Sequence, residues 1–178
     1  MSEARGVDEG LPFVSERVFF DEVNAHREKA ERLFAVVEER VRQVVPEAVV
    51  EHVGSTSLPD GLTKGDLDVQ VRVEAGVYEH ARGELAAVYA PNPGGFTEEG
   101  CSFKDDATDP PLGVHLTIIG GKSDIQHRQR DVLRARPDLR ADYDALKRTF
   151  QGGDMDEYRN AKDVFFNRVA LLESCRSS

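Results

Sequence analysis

Two aspartates separated by one residue, Asp66 and Asp68, open a run of alternating valines that ends at Val73. Side chains two apart on a strand point to the same face, so this pair is expected to project into one space. Neighbouring carboxylates raise each other's pKa unless a cation lies between them. Mg2+ or Mn2+ meets that need, because such ions take carboxylate and phosphate oxygens. A glycine–serine turn, Gly54-Ser55, precedes the pair by a ten-residue spacer, Thr56 to Gly65, that opens with two more hydroxyls, Thr56 and Ser57. Gly54 allows a backbone to approach a ligand closely. Ser55, Thr56 and Ser57 add hydroxyls, and their N–H groups can form an anion-binding nest. Lys64, just before the acids, can act as a point charge for a triphosphate. Together these residue types suit metal-assisted chemistry on a phosphate, with Asp66 and Asp68 as both catalytic and metal-binding residues.

These groups need elements to hold them. Residues 48–53 read as a short strand ending at the glycine turn, with His52 holding the loop or touching a phosphate. Leu58-Pro59-Asp60-Gly61 signals a turn. In the strand at 68–73, Val69, Val71 and Val73 form one face. Asp66, Asp68, Gln70 and Arg72 form the other, which is expected to be polar and open to ligand. Residues 112–119 form a later strand, where His115 could ligate metal, donate to a phosphate or act as a base. Helices are expected over 21–45, stopped by Pro46, and over 76–90. Residues 91–95 read as a loop and 95–104 as a strand. Three helices follow. The first is N-capped at Ser123-Asp124, the second is opened by Pro137, and the third is capped by Asp154 after Gly152-Gly153. Tyr143 and Lys147, like Tyr158 and Lys162, are four apart and share a helix face. If these helices close over the glycine turn, Arg130, Lys147 and Lys162 could reach phosphates.

The whole is read as an α+β fold: a mixed β-sheet with helices packed on it and a C-terminal helical segment. Residues 1–14 are expected to be a flexible lead-in, 15–122 the core, and 123–178 a helical segment of the same domain. At 178 residues the chain fits one domain with a real core. Cys101 and Cys175 lie far apart, without zinc-ligand spacing, and read as free thiols. No apolar run reaches the ~20 residues of a membrane span, and the acidic N-terminus does not read as a signal peptide. A cytoplasmic location is therefore expected. The net charge of −10 argues against general nucleic-acid binding. It is uneven, however: residues 1–125 carry −12 and residues 126–178 carry +2, so the last third could offer positive charge to a phosphorylated ligand.

The glycine–serine turn, the spacer and Asp66-Leu67-Asp68 resemble the signature of the nucleotidyltransferase superfamily with the DNA polymerase β-like fold. There the turn holds the phosphates of an incoming nucleotide and the paired acids hold metal. A closer resemblance runs over roughly residues 15–172. EHVGSTSLPDGLTK at 51–64 is similar to the GrpB family segment. Arg130 to Pro137, Tyr143 to Lys147 and Tyr158 to Phe165 resemble that family's later helical segments. This chain departs from the family pattern in having Gly65-Asp66-Leu67-Asp68 after Lys64, where relatives usually have one Asp. It also has His115-Leu116-Thr117 where they tend to read His-Leu-His. Transferases of this fold commonly carry a third carboxylate on a later strand, and here His115 and Thr117 stand in that place.

Three activities fit these residues. The first is a GrpB-like nucleotidyltransferase acting on a nucleoside triphosphate and an unknown acceptor. The second is a non-catalytic binder of a nucleotide or phosphorylated metabolite. The third is an interaction scaffold with a relic site.

Overall fold

The computed structural model describes residues 16–176; the lead-in expected over 1–14 lies outside them. In chain order the elements are β1 (Asp21–Glu22), α1 (Val23–Val44), β2 (Val49–Val53), a single 3-10 turn (Ser55–Ser57), β3 (Leu62–Thr63), β4 (Leu67–Val73) and α2 (Tyr78–Val88). β5 (Ala90–Thr97), β6 (Gly100–Asp105), β7 (Leu112–Ile118), α3 (Gln126–Ala135), α4 (Pro137–Thr149) and α5 (Met155–Arg176) follow. The five-stranded sheet has the order β2-β4-β7-β6-β5. β4 pairs antiparallel with β2 and parallel with β7, so the sheet is mixed, as expected.

β4 lies inside the sheet and its valines explain why. Val69, Val71 and Val73 are buried, and they join Val37 and Val41 of α1 and Ala81 and Leu85 of α2 in one apolar cluster. The 3.6-residue repeat of α1 supplies one stripe for that face. The other side of the sheet is covered by the C-terminal helices. There Leu133, Leu139, Tyr143 and Val169 pack with Leu58 of the glycine-turn loop. A third cluster, Val18, Phe20, Met155 and Tyr158, fastens the N-terminal segment to the start of α5.

The capping expectations divide. Pro137 opens α4, and Asp154 accepts from the N–H groups of Asp156 and Glu157 at 2.8 and 2.9 Å. Asp124 does not cap α3, whose preceding residue is Ile125. It is drawn into the sheet instead, where Arg72 Nε and Nη2 donate to its two oxygens at 2.7 and 2.8 Å. Gly120 N–H adds a third bond at 2.9 Å. The loop expected at 91–95 is strand: β5 is an edge strand, the place in a sheet where proline is tolerated. Its pairing with β6 is irregular between Asn92 and Thr97.

The polar face of β4 is also divided. Asp66, just before β4, and Asp68 line a cavity; Gln70 and Arg72 are covered by α3 and its approach. Gln70 Nε2 donates to Thr117 Oγ1 at 3.1 Å and to Asp124 at 3.0 Å, and its Oε1 accepts from His127 N–H at 2.8 Å. This buried network docks the first turn of α3 on the sheet. Burial works against ionisation of Asp124, but Arg72 and the Gly120 N–H outweigh it and bring its pKa down to about 2. A carboxylate with a depressed folded pKa stabilises fully above its unfolded pKa of about 4, and loses that contribution as pH falls through the folded value. Asp124→Asn is expected to cost about 2–3 kcal/mol at neutral pH, because Arg72 loses its two-pronged carboxylate partner and keeps only the longer contact with Glu51 at 3.4 Å. Urea unfolding of both proteins should show the gap narrowing as pH drops from about 4 towards 2; a gap that stays constant over that range contradicts this account.

Candidate active site

The 3-10 turn is set by Gly54, whose φ of +71° and ψ of −171° fall in a region open essentially to glycine alone. A Cβ at Gly54 would lie 2.3 Å from Asp68 Oδ2. At Gly113, on β7, it would lie 3.0 Å from Asp68 Oδ1. The carboxylate of Asp68 thus sits in a slot between two residues that have no side chain. The antiparallel register puts Asp68 opposite Val53, immediately before the turn.

Three groups surround this carboxylate. His115 Nε2 lies 3.3 Å from Asp68 Oδ1, and Ser102 Oγ lies 3.0 Å from His115 Nδ1. An ionised carboxylate only accepts, so His115 Nε2 carries the proton of that contact. Burial pushes Asp68 towards its neutral form; the His115 hydrogen bond and the charges of His115, Lys64 and Lys162 overcome it, and the carboxyl lies below its usual range. Lys64 Nζ is 2.8 Å from Asp66 Oδ2. Burial works against its charge, yet Asp66 and Asp68 hold its pKa above the ordinary lysine value.

Beside this pair opens a cavity of about 300 Å3. Gly54, Ser55, Lys64, Asp66, Asp68 and His115 line it from the sheet side, and Arg130 and Lys162 from α3 and α5. Of the residues singled out in the sequence, these eight come together. Thr56 and Ser57 do not reach the cavity, because their hydroxyls brace the turn. Thr56 Oγ1 donates to Asp66 O at 3.0 Å, and His52 Nε2 stands 3.0 Å behind it. With the Thr56 proton spent on Asp66, His52 is the donor. Burial lowers the His52 pKa to about 4 against the pull of Asp68, so the ring is neutral near pH 7. Ser57 Oγ donates back to Gly54 O at 2.6 Å.

Two of the expected phosphate ligands have other partners. Arg130 borders the cavity, but its guanidinium donates to His52 O at 3.0 Å, Glu51 at 3.1 Å and Asp131 at 2.8 Å. It fastens α3 to β2. Lys147 lies behind the turn, 1% exposed, with Nζ 3.1 Å from Ser55 Oγ. Sequence reasoning assigned no role to the apolar wall of Leu58, Leu133 and Phe166, nor to Gln129 and Asp163. The helical repeats carried those positions, but nothing local distinguishes a residue that faces a cavity from one that faces a neighbour.

The chain belongs to the GrpB family: the family described as GrpB protein matches residues 22–171. A UPF0157 protein of Vibrio cholerae is 26% identical over 166 residues, covering 89% of this chain and 85% of that one. A UPF0157 protein of Deinococcus radiodurans is 31% identical over 135 residues, covering 73% and 70%. The crystal structure of the conserved protein GrpB from Enterococcus faecalis superposes with a TM-score of 0.66 at 20% identity, over 85% of this chain and 94% of that one. The fold expected from the sequence is therefore the fold of the family. No helix among the described residues is long and apolar enough to cross a membrane.

Gly54→Ala is expected to force Asp68 out of its slot and to cost about 1–3 kcal/mol in backbone strain alone. Thermal unfolding checks the cost. The chemical shift of the His115 ring should also move, since its Asp68 partner is displaced; an unmoved His115 signal would mean that the slot does not position the acid.

Proposed function

We propose that the cavity binds a nucleoside triphosphate and that the protein transfers its nucleotidyl group to an acceptor hydroxyl or phosphate. The observation that carries this reading is the contact of Asp68 with Gly54. It sets an ionised acid directly against a hydroxyl-bearing turn, with two lysines, Lys64 and Lys162, on the same cavity. Among the described residues no group of three or more His, Cys, Asp and Glu side chains converges as a metal site. Two carboxylates nevertheless suit Mg2+ or Mn2+, which is commonly held by one or two carboxylates together with substrate phosphates. Asp66 and Asp68 would hold the ion, and it would supply neutralisation of phosphate charge.

The protein's own work is positioning and charge balance. The Ser55 hydroxyl and the first N–H groups of the turn, which have no partner within the turn itself, receive phosphate oxygens. Lys64 and Lys162 offset their charge. The acceptor oxygen attacks the α-phosphorus in line, forming the new phosphorus–oxygen bond. The bond to the bridging oxygen breaks, and pyrophosphate leaves with its electron pair. The acceptor's proton passes to solvent or to a basic group at the site.

One observation favours a second reading, binding without transfer. His115 occupies the place where a third carboxylate would stand, and Asp66 is already paired with Lys64. Pyrophosphate release separates the two. On the first reading, saturating nucleoside triphosphate with Mg2+ raises the melting temperature by roughly 5–10 °C at a hundredfold excess over Kd. Asp68→Asn removes that shift. Absence of a shift with all four ribonucleoside triphosphates contradicts both readings, while a shift without pyrophosphate release in the presence of candidate acceptors selects the second.

A further inference from the structure

Lys147 is a long cationic side chain with almost no contact with water. Its ammonium has two hydrogen-bond acceptors and one ion-pair partner. Ser55 Oγ lies at 3.1 Å, the carbonyl of Leu62 is in direct contact, and Asp144 Oδ1 is 3.6 Å away. The Tyr143 ring lies beneath it, 3.9 Å from Nζ to the centroid. Asp144 in turn accepts from Leu62 N–H at 3.0 Å. α4 therefore grips both the N–H and the carbonyl of Leu62, and through Lys147 it reaches the serine of the glycine turn.

We propose that Lys147 is a positioning residue: its ammonium, buried behind Ser55, fixes that hydroxyl as a hydrogen-bond donor towards an anionic ligand in the cavity. This rests on the reading of the cavity as a phosphate site. An ammonium can only donate, so Ser55 Oγ must accept from it. Ser55 Oγ has Lys147 as its hydrogen-bond partner, so its single proton is left for the cavity that Ser55 and Tyr143 both line. Tyr143 is linked onward to the Tyr158 hydroxyl at 3.1 Å. A neutral amine would behave differently. It could accept the Ser55 proton, which would turn the oxygen lone pairs of Ser55 towards the incoming anion.

The charged state of Lys147 is within reach of ordinary pH. Burial lowers its pKa to about 8, against the favourable charges of Asp144 on its own helix and of Asp66, and with the opposing charge of Lys162 on α5. The neighbouring Lys64 stays protonated over this range, since its pKa is raised. Tyr143 and Tyr158 stay neutral, because burial pushes both hydroxyls up. Ligand affinity that requires the ammonium is present below the Lys147 pKa and is lost as pH rises through it.

The test is calorimetric titration of the four ribonucleoside triphosphates with Mg2+ between pH 7 and 9, on the full chain and on Lys147→Met and Ser55→Ala. The wild type should lose about tenfold in affinity across that range, in proportion to the fraction of competent protein. Lys147→Met should bind weakly with a flat profile. Ser55→Ala, which leaves the Lys147 contacts to Leu62 and Asp144 in place, should also be flat, and it serves if Lys147→Met does not fold. A flat wild-type profile, or a Ser55→Ala profile that still falls as in the wild type, overturns the role of Lys147. Failure of the wild type to bind any of the four nucleotides overturns the underlying reading of the cavity as well.

Discussion

The site depends on one steric fact: the Asp68 carboxylate occupies space that a side chain at Gly54 would fill. That contact joins the end of β2 to the start of β4 by something more specific than ladder hydrogen bonds. It makes the turn and the acid one object, so neither can move without the other. His115 from β7 and the lysine charges then keep the acid ionised in a half-buried place, where burial alone would favour the neutral form. The polar bracing behind the turn, from His52 through Thr56 to the Asp66 carbonyl, fixes the second acid to the same frame.

The helices are organised around that frame. α3 is anchored by the buried Gln70–Asp124–Arg72 network and by Arg130 on Glu51 and His52. α4 is anchored by Lys147 and Asp144 on Leu62, and by Arg140 on Asp60. Three basic residues of these helices, Arg134, Arg140 and Lys147, are thus spent on the glycine turn and the loop that follows it. Removing one partner of a buried charged pair is costly because it leaves the other uncompensated. Part of the positive charge of the last third of the chain therefore holds the turn and its loop, and Arg130 and Lys162 line the cavity itself.

The sequence made the strand–turn–strand unit legible because its signals are local. Valine alternation, a glycine before three hydroxyls, and two acids at strand spacing all lie within one short segment. Pro137 and Asp154 were legible as helix starts for the same reason. The misreadings share the opposite cause. Asp124 carries a local N-cap signature, but Arg72, far away in the chain, competes for the same oxygens and wins. Arg130 lines the cavity and Lys147 stands behind Ser55; the partners that fix them, Glu51 and Ser55, lie far from them in sequence and carry no local signal. Prolines at 91 and 93 suggested a loop, and the edge position of β5 made them tolerable in a strand. The apolar wall of the cavity could not be read at all, since helical periodicity does not say which buried face borders empty space.

The central claim is that the turn and the paired acids hold opposite sides of one phosphate group. The most direct measurement is a crystal structure with a nonhydrolysable nucleoside triphosphate and Mn2+, using the manganese anomalous signal to locate the ion. The account predicts an anomalous peak shared by Asp66, Asp68 and a phosphate oxygen, with the phosphate chain on Gly54 and Ser55. Nucleotide density elsewhere on the molecule, or a peak bound away from both aspartates, would contradict it.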